Sequence, residues 1–311
     1  MLVHSVGIDE FRTELSAARC HRAPFVPVTH WSIAPLACAP RHVFQSGRFA
    51  MTTATSTLLG RPIWYELMTT DTAAADTFYK KVIGWTSAPF DASPNPYTVF
   101  KRTGQVHVAG LMKRPDDMNM PPFWAMYVAV PKLEEAVAHI KRLGGRELSP
   151  VIEVPTVGRL QMMKDPQGAP FYILQPASTE ETPENAPEVG AASWHELMTT
   201  DAAAAMKFYT DVFGWRPSET LDMGAMGKYH MFNRPHGMIG GMMNKPPEMA
   251  PVPPHWMIYF RVPDINAATE RIKANGGRIL NGPMEVPGGD WIVNAMDPQG
   301  AAFSLHAKKA D

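Results

Sequence analysis

Apolar and polar positions follow one order along most of the chain. Residues 63 to 69 alternate as in a β-strand, and Asp71 then precedes a segment in which apolar side chains recur at three- and four-residue spacing, as on one face of a helix. Gly84 ends that helix. Extended segments are predicted near residues 85–90, 97–102 and 105–112. The pattern therefore predicts a βαβββ unit.

A second unit of the same kind follows. A strand over residues 123–130 leads to a helix that has Leu133, Ala136, Val137 and Ile140 on one side and stops at Gly144-Gly145. Strands are predicted near 147–154, 158–164 and 169–175.

The whole arrangement is then repeated. The octet WYELMTTD at 64–71 returns as WHELMTTD at 194–201, and residues 64–85 match 194–215 at 15 of 22 positions. Late in each copy, DPQGAPF at 165–171 returns as DPQGAAF at 297–303. A duplication of this length indicates two tandem domains. Four βαβββ units predict an α+β fold.

Composition changes divide the chain further. Residues 1–57 carry scattered Arg, His and Pro without apolar periodicity, and they are interpreted as a disordered or spurious N-terminal extension. The first domain is assigned to 58–176 and the second to 192–311. Between them, residues 177–191 are acidic and contain Pro, which is typical of a solvated linker.

Charge and cysteine content exclude several function classes. Lys plus Arg total 29 against 30 for Asp plus Glu, so nucleic acid and membrane surfaces are not expected partners. No apolar run approaches the roughly 20 residues of a membrane helix. Cys20 and Cys38 lie near the start, so the predicted domains contain neither a disulfide nor a thiolate metal site. We expect a cytoplasmic protein.

The strand that ends on Asp, the FY and GW pairs, and the DPQG before the last strand together resemble the vicinal oxygen chelate superfamily, which includes glyoxalase, bleomycin-resistance protein and extradiol dioxygenase. The resemblance implies that paired βαβββ units form two cup-shaped, mainly antiparallel sheets. It also implies that the two cups pack together as an intrachain pseudo-dimer, so we expect a monomer or a weak homodimer.

Enzymes of this superfamily usually hold a divalent metal in the cup through His, Glu or Gln. Three of the four ligand positions can be placed here, and each holds a residue unsuited to a hard divalent ion. The fourth cannot be placed without guessing gaps, although His107 or His236 could lie near it. No cofactor is therefore predicted. The residues at the three positions are Trp64 and Trp194, Ala125 and Met257, and Tyr172 and Ser304.

Glu66 and Glu196 are the candidate catalytic residues. Strand alternation places them on the same faces as Trp64 and Trp194, which face the cups if the resemblance holds. Burial would raise the pKa of each carboxyl and suit it to acid/base chemistry. An alternative is a structural ion pair with Arg102 or Arg234. The predicted ligand-binding residues are Trp64, Tyr127, Tyr172, Trp194, Met257, Tyr259, Arg261 and His306.

Three functions remain open at this point. The first is a metal-free protein that binds a small organic molecule in an aromatic cup. The second is a metal-dependent glyoxalase-like lyase, isomerase or dioxygenase with non-standard ligands. The third is a metal-independent acid/base enzyme that uses Glu196.

The Met- and Pro-rich loops at 112–122 and 243–254 could either rim the cups or pack between the domains.

Overall fold

The computed structural model describes residues 58–91, 93, 95–116, 118, 120–178, 187–235 and 237–309. The predicted N-terminal extension, residues 1–57, and residues 179–186 of the predicted linker lie outside the described residues. In the described part of the chain, no helix is long and apolar enough to cross a membrane.

The first sheet is formed by nine strands from the first copy of the repeat. Eight of them lie in the order β2-β3-β4-β1-β5-β9-β8-β6, and β7 pairs with β8 outside this path. The strand predicted near 147–154 is divided into β6 and β7, because Pro150 between them has no N–H to donate to the ladder. The bounds are β1 Pro62–Thr69, β2 Thr86–Pro89, β3 Tyr97–Arg102, β4 Val106–Lys113, β5 Phe123–Ala129, β6 Arg146–Glu147, β7 Ile152–Val154, β8 Gly158–Lys164 and β9 Pro170–Pro176.

The second sheet is formed by eight strands from the second copy, in the order β11-β12-β13-β10-β14-β17-β16-β15. This is the same order as in the first sheet. In each sheet the first strand lies between a parallel and an antiparallel neighbour. The bounds are β10 Ala192–Thr199, β11 Arg216–Asp222, β12 Lys228–Arg234, β13 Gly237–Asn244, β14 His255–Arg261, β15 Arg278–Glu285, β16 Trp291–Met296 and β17 Ala302–Ala307.

In the described ranges, four α-helices connect the strands: α1 Thr72–Ile83, α2 Leu133–Arg142, α3 Ala202–Phe213 and α4 Ile265–Ala274. Asp71, Asp201 and Asp264 cap α1, α3 and α4 by accepting hydrogen bonds from backbone N–H groups of the first turn. Lys132 at the start of α2 makes no side-chain cap, as its chemistry predicts. Three single 3₁₀ turns cover Thr103–Gln105, Gly224–Met226 and Pro247–Met249.

The repeated motifs meet between the two copies. The Tyr79 hydroxyl on α1 donates to Asp297 in the second DPQG motif at 3.0 Å, and the Tyr209 hydroxyl on α3 donates to Asp165 in the first DPQG motif at 3.1 Å. Trp124 Nε1 donates to the Tyr79 hydroxyl at 2.9 Å. All of these hydrogen bonds are buried, so each copy supplies the polar partner that the other copy's helix needs.

One apolar core runs through both copies. Phe78 of α1 packs edge-on against Phe303 of β17, and Phe208 of α3 packs the same way against Phe171 of β9. Each of the two helices therefore covers the other copy's sheet. The arrangement is compatible with the predicted intrachain pseudo-dimer, and it confirms the predicted α+β class with a sheet from each copy.

Candidate functional site

A buried chain of hydrogen bonds lies in the first cup. Trp64 Nε1 donates to the Tyr97 hydroxyl at 2.9 Å, and the Tyr97 hydroxyl donates to Glu66. The Tyr127 hydroxyl donates to Glu66 Oε1 from the other side at 2.7 Å. The Glu66 carboxyl is thus held between two phenols, one on the neighbouring strand β5 and one on β3, the second strand away on the other side of β1.

The second cup repeats this cluster with the equivalent residues. Trp194 Nε1 donates to the Tyr229 hydroxyl at 2.7 Å, and the Tyr229 and Tyr259 hydroxyls both donate to Glu196. As strand alternation predicted, each Glu lies on the same face of its strand as the Trp two residues before it. We call each set the Glu–Tyr cluster: Trp64, Glu66, Tyr97 and Tyr127 in the first cup, and Trp194, Glu196, Tyr229 and Tyr259 in the second.

Two glycines make room for these clusters. A Cβ atom at Gly110 would lie 1.7 Å from the Tyr97 hydroxyl, and one at Gly241 would lie 2.2 Å from the Tyr229 ring. Any side chain at these positions of β4 or β13 would displace the tyrosine from its place over the sheet. The two segments that carry these glycines, VAGLM at 108–112 and IGGMM at 239–243, correspond in the repeat, so the same residue makes room for the tyrosine in both cups.

Burial shifts the pKa of the clustered groups. Desolvation raises the pKa of Glu66 and Glu196, although the phenol hydrogen bonds act in the opposite direction. Burial, followed by the nearby Glu66 charge, raises the pKa of Tyr97 and Tyr127. A carboxyl accepts hydrogen bonds when it is ionised and can also donate one when it is protonated, so the cluster can exchange a proton with an oxygen-containing ligand.

The first cup is filled by its own side chains. Tyr127 and Tyr172 stack in parallel with ring centroids 4.3 Å apart. Met118 and Met120 of the loop at 112–122 pack against this apolar cluster, and the Arg114 guanidinium holds the loop by donating to their carbonyl oxygens. This contact favours the prediction that the loop rims a cup. Glu66 retains only 5% exposure.

The second cup is more polar than the first, and its carboxyl is more exposed. Ser304 takes the place of Tyr172, and its hydroxyl donates to Asn294 Oδ1 at 2.8 Å. Met257 takes the place of Ala125 and is buried, as is Tyr259. Glu196 is partly exposed, whereas Glu66 is buried. The carboxyl of the second cup is therefore more accessible to solvent than that of the first.

The remaining predicted residues lie toward one end of the second cup. His306 contacts Ser193 and Asp290, each at 2.9 Å. Arg261 donates from Nη1 to the Pro187 carbonyl at 2.6 Å. Their predicted role in ligand binding stays a prediction.

The alternative of an ion pair for Glu66 is wrong. Arg102 pairs with Glu188 of the predicted linker at 2.6 Å, and phenols occupy the hydrogen-bonding positions of Glu66. Phenols likewise bond Glu196, while Arg234 Nη2 donates to the Leu59 carbonyl.

Tyr97 and Tyr229 were missed by the sequence analysis. Each stands at the start of the repeated segment that ends in FKR or FNR, namely YTVFKR at 97–102 and YHMFNR at 229–234. The tyrosine that these two segments share is the sequence signal for a phenol on β3 and β12, two strands from each Glu.

The donors around each Glu do not match a site for a divalent ion. The three positions that the resemblance assigns to ligands hold Trp64, Ala125 and Tyr172 in the first cup, and the Glu66 carboxyl is bonded to phenols. Among the described residues, no group of three or more His, Cys, Asp or Glu side chains could hold a metal ion. His107 is exposed, and His236 lies outside the described residues.

Two surface depressions lie elsewhere. One of about 500 Å³ between α1 and α4 is lined by Thr77, Lys81 and Asn275, and another lies beside α2 near Glu134 and Arg142. Both are open to solvent and lack the enclosed, converging polar groups typical of ligand sites.

Comparison with known proteins agrees with this architecture. Residues 192–305 match the model of the Glyoxalase/Bleomycin resistance protein/Dioxygenase superfamily, and residues 64–174 match that of the glyoxalase-like domain. The Mycobacterium tuberculosis protein named "Putative glyoxylase CFP32" is 32% identical over 253 residues, which cover 79% of this chain and 94% of the relative.

Two further proteins are similar. The "Anthracycline biosynthesis protein DauV" of Streptomyces sp. strain C5 is 30% identical over 261 residues, covering 79% of this chain and 92% of that protein. The Mn(II)-bound glyoxalase from Novosphingobium aromaticivorans shares the fold, with a TM-score of 0.55 at 19% identity over 81% of this chain and 83% of that one. The chain belongs to the glyoxalase, bleomycin-resistance and dioxygenase superfamily, as a protein with two tandem domains.

Proposed function

We propose that the protein binds a small, mostly apolar organic molecule in its second cup without a metal ion, and that the Glu–Tyr cluster recognises an oxygen atom of that molecule. The observation that supports this most is the partly exposed Glu196 between the phenols of Tyr229 and Tyr259. The walls of the second cup are aromatic and methionine-rich, which suits a flat apolar ligand.

The name of the DauV relative suggests a class of ligand. Anthracyclines are flat, polycyclic and rich in carbonyl and hydroxyl oxygens. Such a molecule could stack on Trp194 and exchange hydrogen bonds with the Glu196 carboxyl, which accepts when ionised and also donates when protonated. We therefore choose an anthracycline as the probe.

The difference between the cups provides the test. Ser304→Tyr gives the second cup the residue that fills the first cup, and Tyr172→Ser makes the reciprocal change. We expect daunorubicin, followed by its fluorescence, to bind the natural chain and to lose at least about tenfold in affinity with Ser304→Tyr, about 1.4 kcal/mol of binding free energy. Tyr172→Ser should not weaken binding. Absence of binding to the natural chain, or equal binding to Ser304→Tyr, would contradict the proposal.

Proton transfer by Glu196 is the second candidate function. The raised pKa of this carboxyl supports it, because a general acid or base works best when its pKa is near the working pH. Glu196→Gln keeps the shape and the hydrogen bonds of the neutral acid but cannot transfer a proton. If a bound compound is turned over, this variant should still bind it while kcat falls by about 100-fold or more. An unchanged kcat would contradict the acid/base role.

A further inference from the structure

Three polar side chains form a continuous hydrogen-bonded row at one end of the second cup. The Asp290 carboxylate accepts a hydrogen bond from His306 Nε2 at 2.9 Å, and His306 Nδ1 lies 2.9 Å from Ser193 Oγ. Asp290 directly precedes β16, His306 lies on β17 and Ser193 lies on β10. The row therefore joins parts of the chain that are more than 100 residues apart.

The proton positions follow from the partners. A carboxylate only accepts, so Nε2 of His306 carries hydrogen, and in the neutral ring Nδ1 is then an acceptor for the Ser193 hydroxyl. The same hydroxyl lies 3.2 Å from the Tyr259 carbonyl, a second acceptor, and the proposed reaction uses the rotamer directed at the closer Nδ1. Partial burial acts to raise the pKa of Asp290, but hydrogen bonds from His306 and from the backbone N–H of Lys309 hold it below its usual value. Asp290 is thus an anion that fixes the histidine tautomer.

The first copy shows that this row is not required by the fold. Ser193, His306 and Asp290 correspond to Ile63, Leu174 and Gly158 in the repeat. Leu174 belongs to the apolar cluster of the first cup, and Ile63 packs against that cluster. The same wall position is therefore carbon-lined in one domain and carries three cooperating polar groups in the other.

We propose that Ser193, His306 and Asp290 form a nucleophile, a general base and an orienting carboxylate that hydrolyse esters of small apolar acids. The roles correspond to those of a Ser-His-Asp triad, which is recognised by geometry and not by chain order. The inference does not depend on Glu196 or on the proposed ligand of the cup.

The reaction balances without any further reagent. The Ser193 oxygen attacks the acyl carbon and passes its proton to His306 Nδ1. The carbon–oxygen bond to the alcohol then breaks, and the alcohol oxygen takes that proton. Water next attacks the acyl carbon, gives one proton to Nδ1, and releases the carboxylic acid as the Ser193 oxygen recovers its hydrogen. One ester and one water thus give one acid and one alcohol.

Neighbouring strands supply the other groups that such a reaction needs. Arg261, whose Nη1 donates to the Pro187 carbonyl, pairs with His306 in the register of β14 and β17. The proposal assigns its remaining N–H groups to the negative charge that develops on the acyl oxygen. Ile292 pairs with His306 on the other side, in the register of β16 and β17, and offers apolar contact to an acyl chain. Ser193, Ile292 and His306 are all partly exposed, so an ester can reach them.

The test uses two probes on the full-length chain. A fluorophosphonate should attach once, and peptide mass spectrometry should place it on Ser193. The chain should also hydrolyse p-nitrophenyl butyrate. Ser193→Ala should abolish both signals, and His306→Gln should lower kcat/KM by about 100-fold or more.

Asp290→Asn tests the orienting role of the carboxylate in a chain that still folds, because Asp290 is partly exposed and the amide has the same shape. It should reduce hydrolysis at least about tenfold while the melting temperature stays near that of the natural chain. Ser218→Ala, on the exposed strand β11, is the matched control and should leave labelling and hydrolysis unchanged. Labelling at a residue other than Ser193, no labelling of folded protein, or hydrolysis that persists in folded Ser193→Ala would overturn the proposal.

Discussion

Tyr65 and His195, the one pair of residues that differs between the two repeated octets, contact each other. The Tyr65 hydroxyl lies 2.7 Å from His195 Nε2, and the rings are nearly parallel with centroids 5.6 Å apart. His195 Nδ1 lies 2.6 Å from the Ile239 carbonyl, which can only accept. The ring therefore donates through Nδ1 and accepts the Tyr65 hydroxyl proton at Nε2. His195 thus meets its two partners with two separate ring nitrogens, whereas a tyrosine would have a single hydroxyl for both.

The first prediction concerns stability at acid pH. Burial lowers the pKa of His195 from 6.5 to about 4, so between these pH values the unfolded chain binds a proton that the folded chain does not. The free energy of unfolding should therefore fall as the pH decreases through this window, by up to about 3 kcal/mol from this group. Urea unfolding of the natural chain and of His195→Gln across pH 4 to 7.5 measures the difference.

The control for this prediction is His107→Gln, because His107 is exposed. The free energy of unfolding of His107→Gln should fall at acid pH as much as that of the natural chain. For His195→Gln, the free energy of unfolding should change less with pH. Parallel profiles for His195→Gln and the natural chain would contradict a neutral, buried His195.

The second prediction concerns Glu66. Because burial raises the pKa of Glu66, its ionised form is less stable in the folded chain than in the unfolded one. This destabilisation is absent below the unfolded pKa of 4.5 and becomes complete as the pH rises through the folded value. Glu66→Gln should therefore gain stability relative to the natural chain as the pH rises from 4 to 8. Unfolding curves at both pH values test this, and a constant difference would count against it.

The third prediction concerns the contacts between the two copies. Tyr79→Phe removes the donor to Asp297 and leaves buried polar atoms without that partner, which should cost about 1–3 kcal/mol of unfolding free energy. A double-mutant cycle of Tyr79→Phe with Asp297→Asn should give a coupling energy of about 0.5–3 kcal/mol. Tyr79→Phe with Asp165→Asn is the matched cycle, since Asp165 bonds Tyr209, and it should show no coupling beyond error.

The fourth prediction concerns the glycine under the second cup. Gly241→Ala places a methyl group where the Tyr229 ring lies, so the ring must move away from Glu196. We expect a loss of about 1–3 kcal/mol in stability from overpacking, together with weaker daunorubicin binding. Tyr229→Phe keeps the ring in place but removes the hydroxyl, so it separates the steric effect from the hydrogen bond. Tight binding by folded Gly241→Ala would show that Tyr229 does not shape the cup.

Much of the architecture follows from the sequence alone. The repeated octet, the DPQG motifs and the helix periodicity predicted two α+β domains of one superfamily, and family comparison and topology confirm this. Strand alternation also placed Glu66 with Trp64 and Glu196 with Trp194 on shared faces, because side chains along a strand alternate with a fixed period of two. The domain boundaries and the cytoplasmic location stay predictions.

The partners of those residues were decided by the tertiary structure. Local periodicity gives the face of a residue but not the register of the neighbouring strand, so Tyr97 and Tyr229 were missed as partners of Glu66 and Glu196. The Tyr65–His195 contact and the Ser193–His306–Asp290 row join segments more than 100 residues apart, and only packing of the two copies or closure of a sheet brings them within hydrogen-bond distance. Sequence determines which chemistry each strand carries, whereas sheet register and the packing of the two domains determine which groups meet.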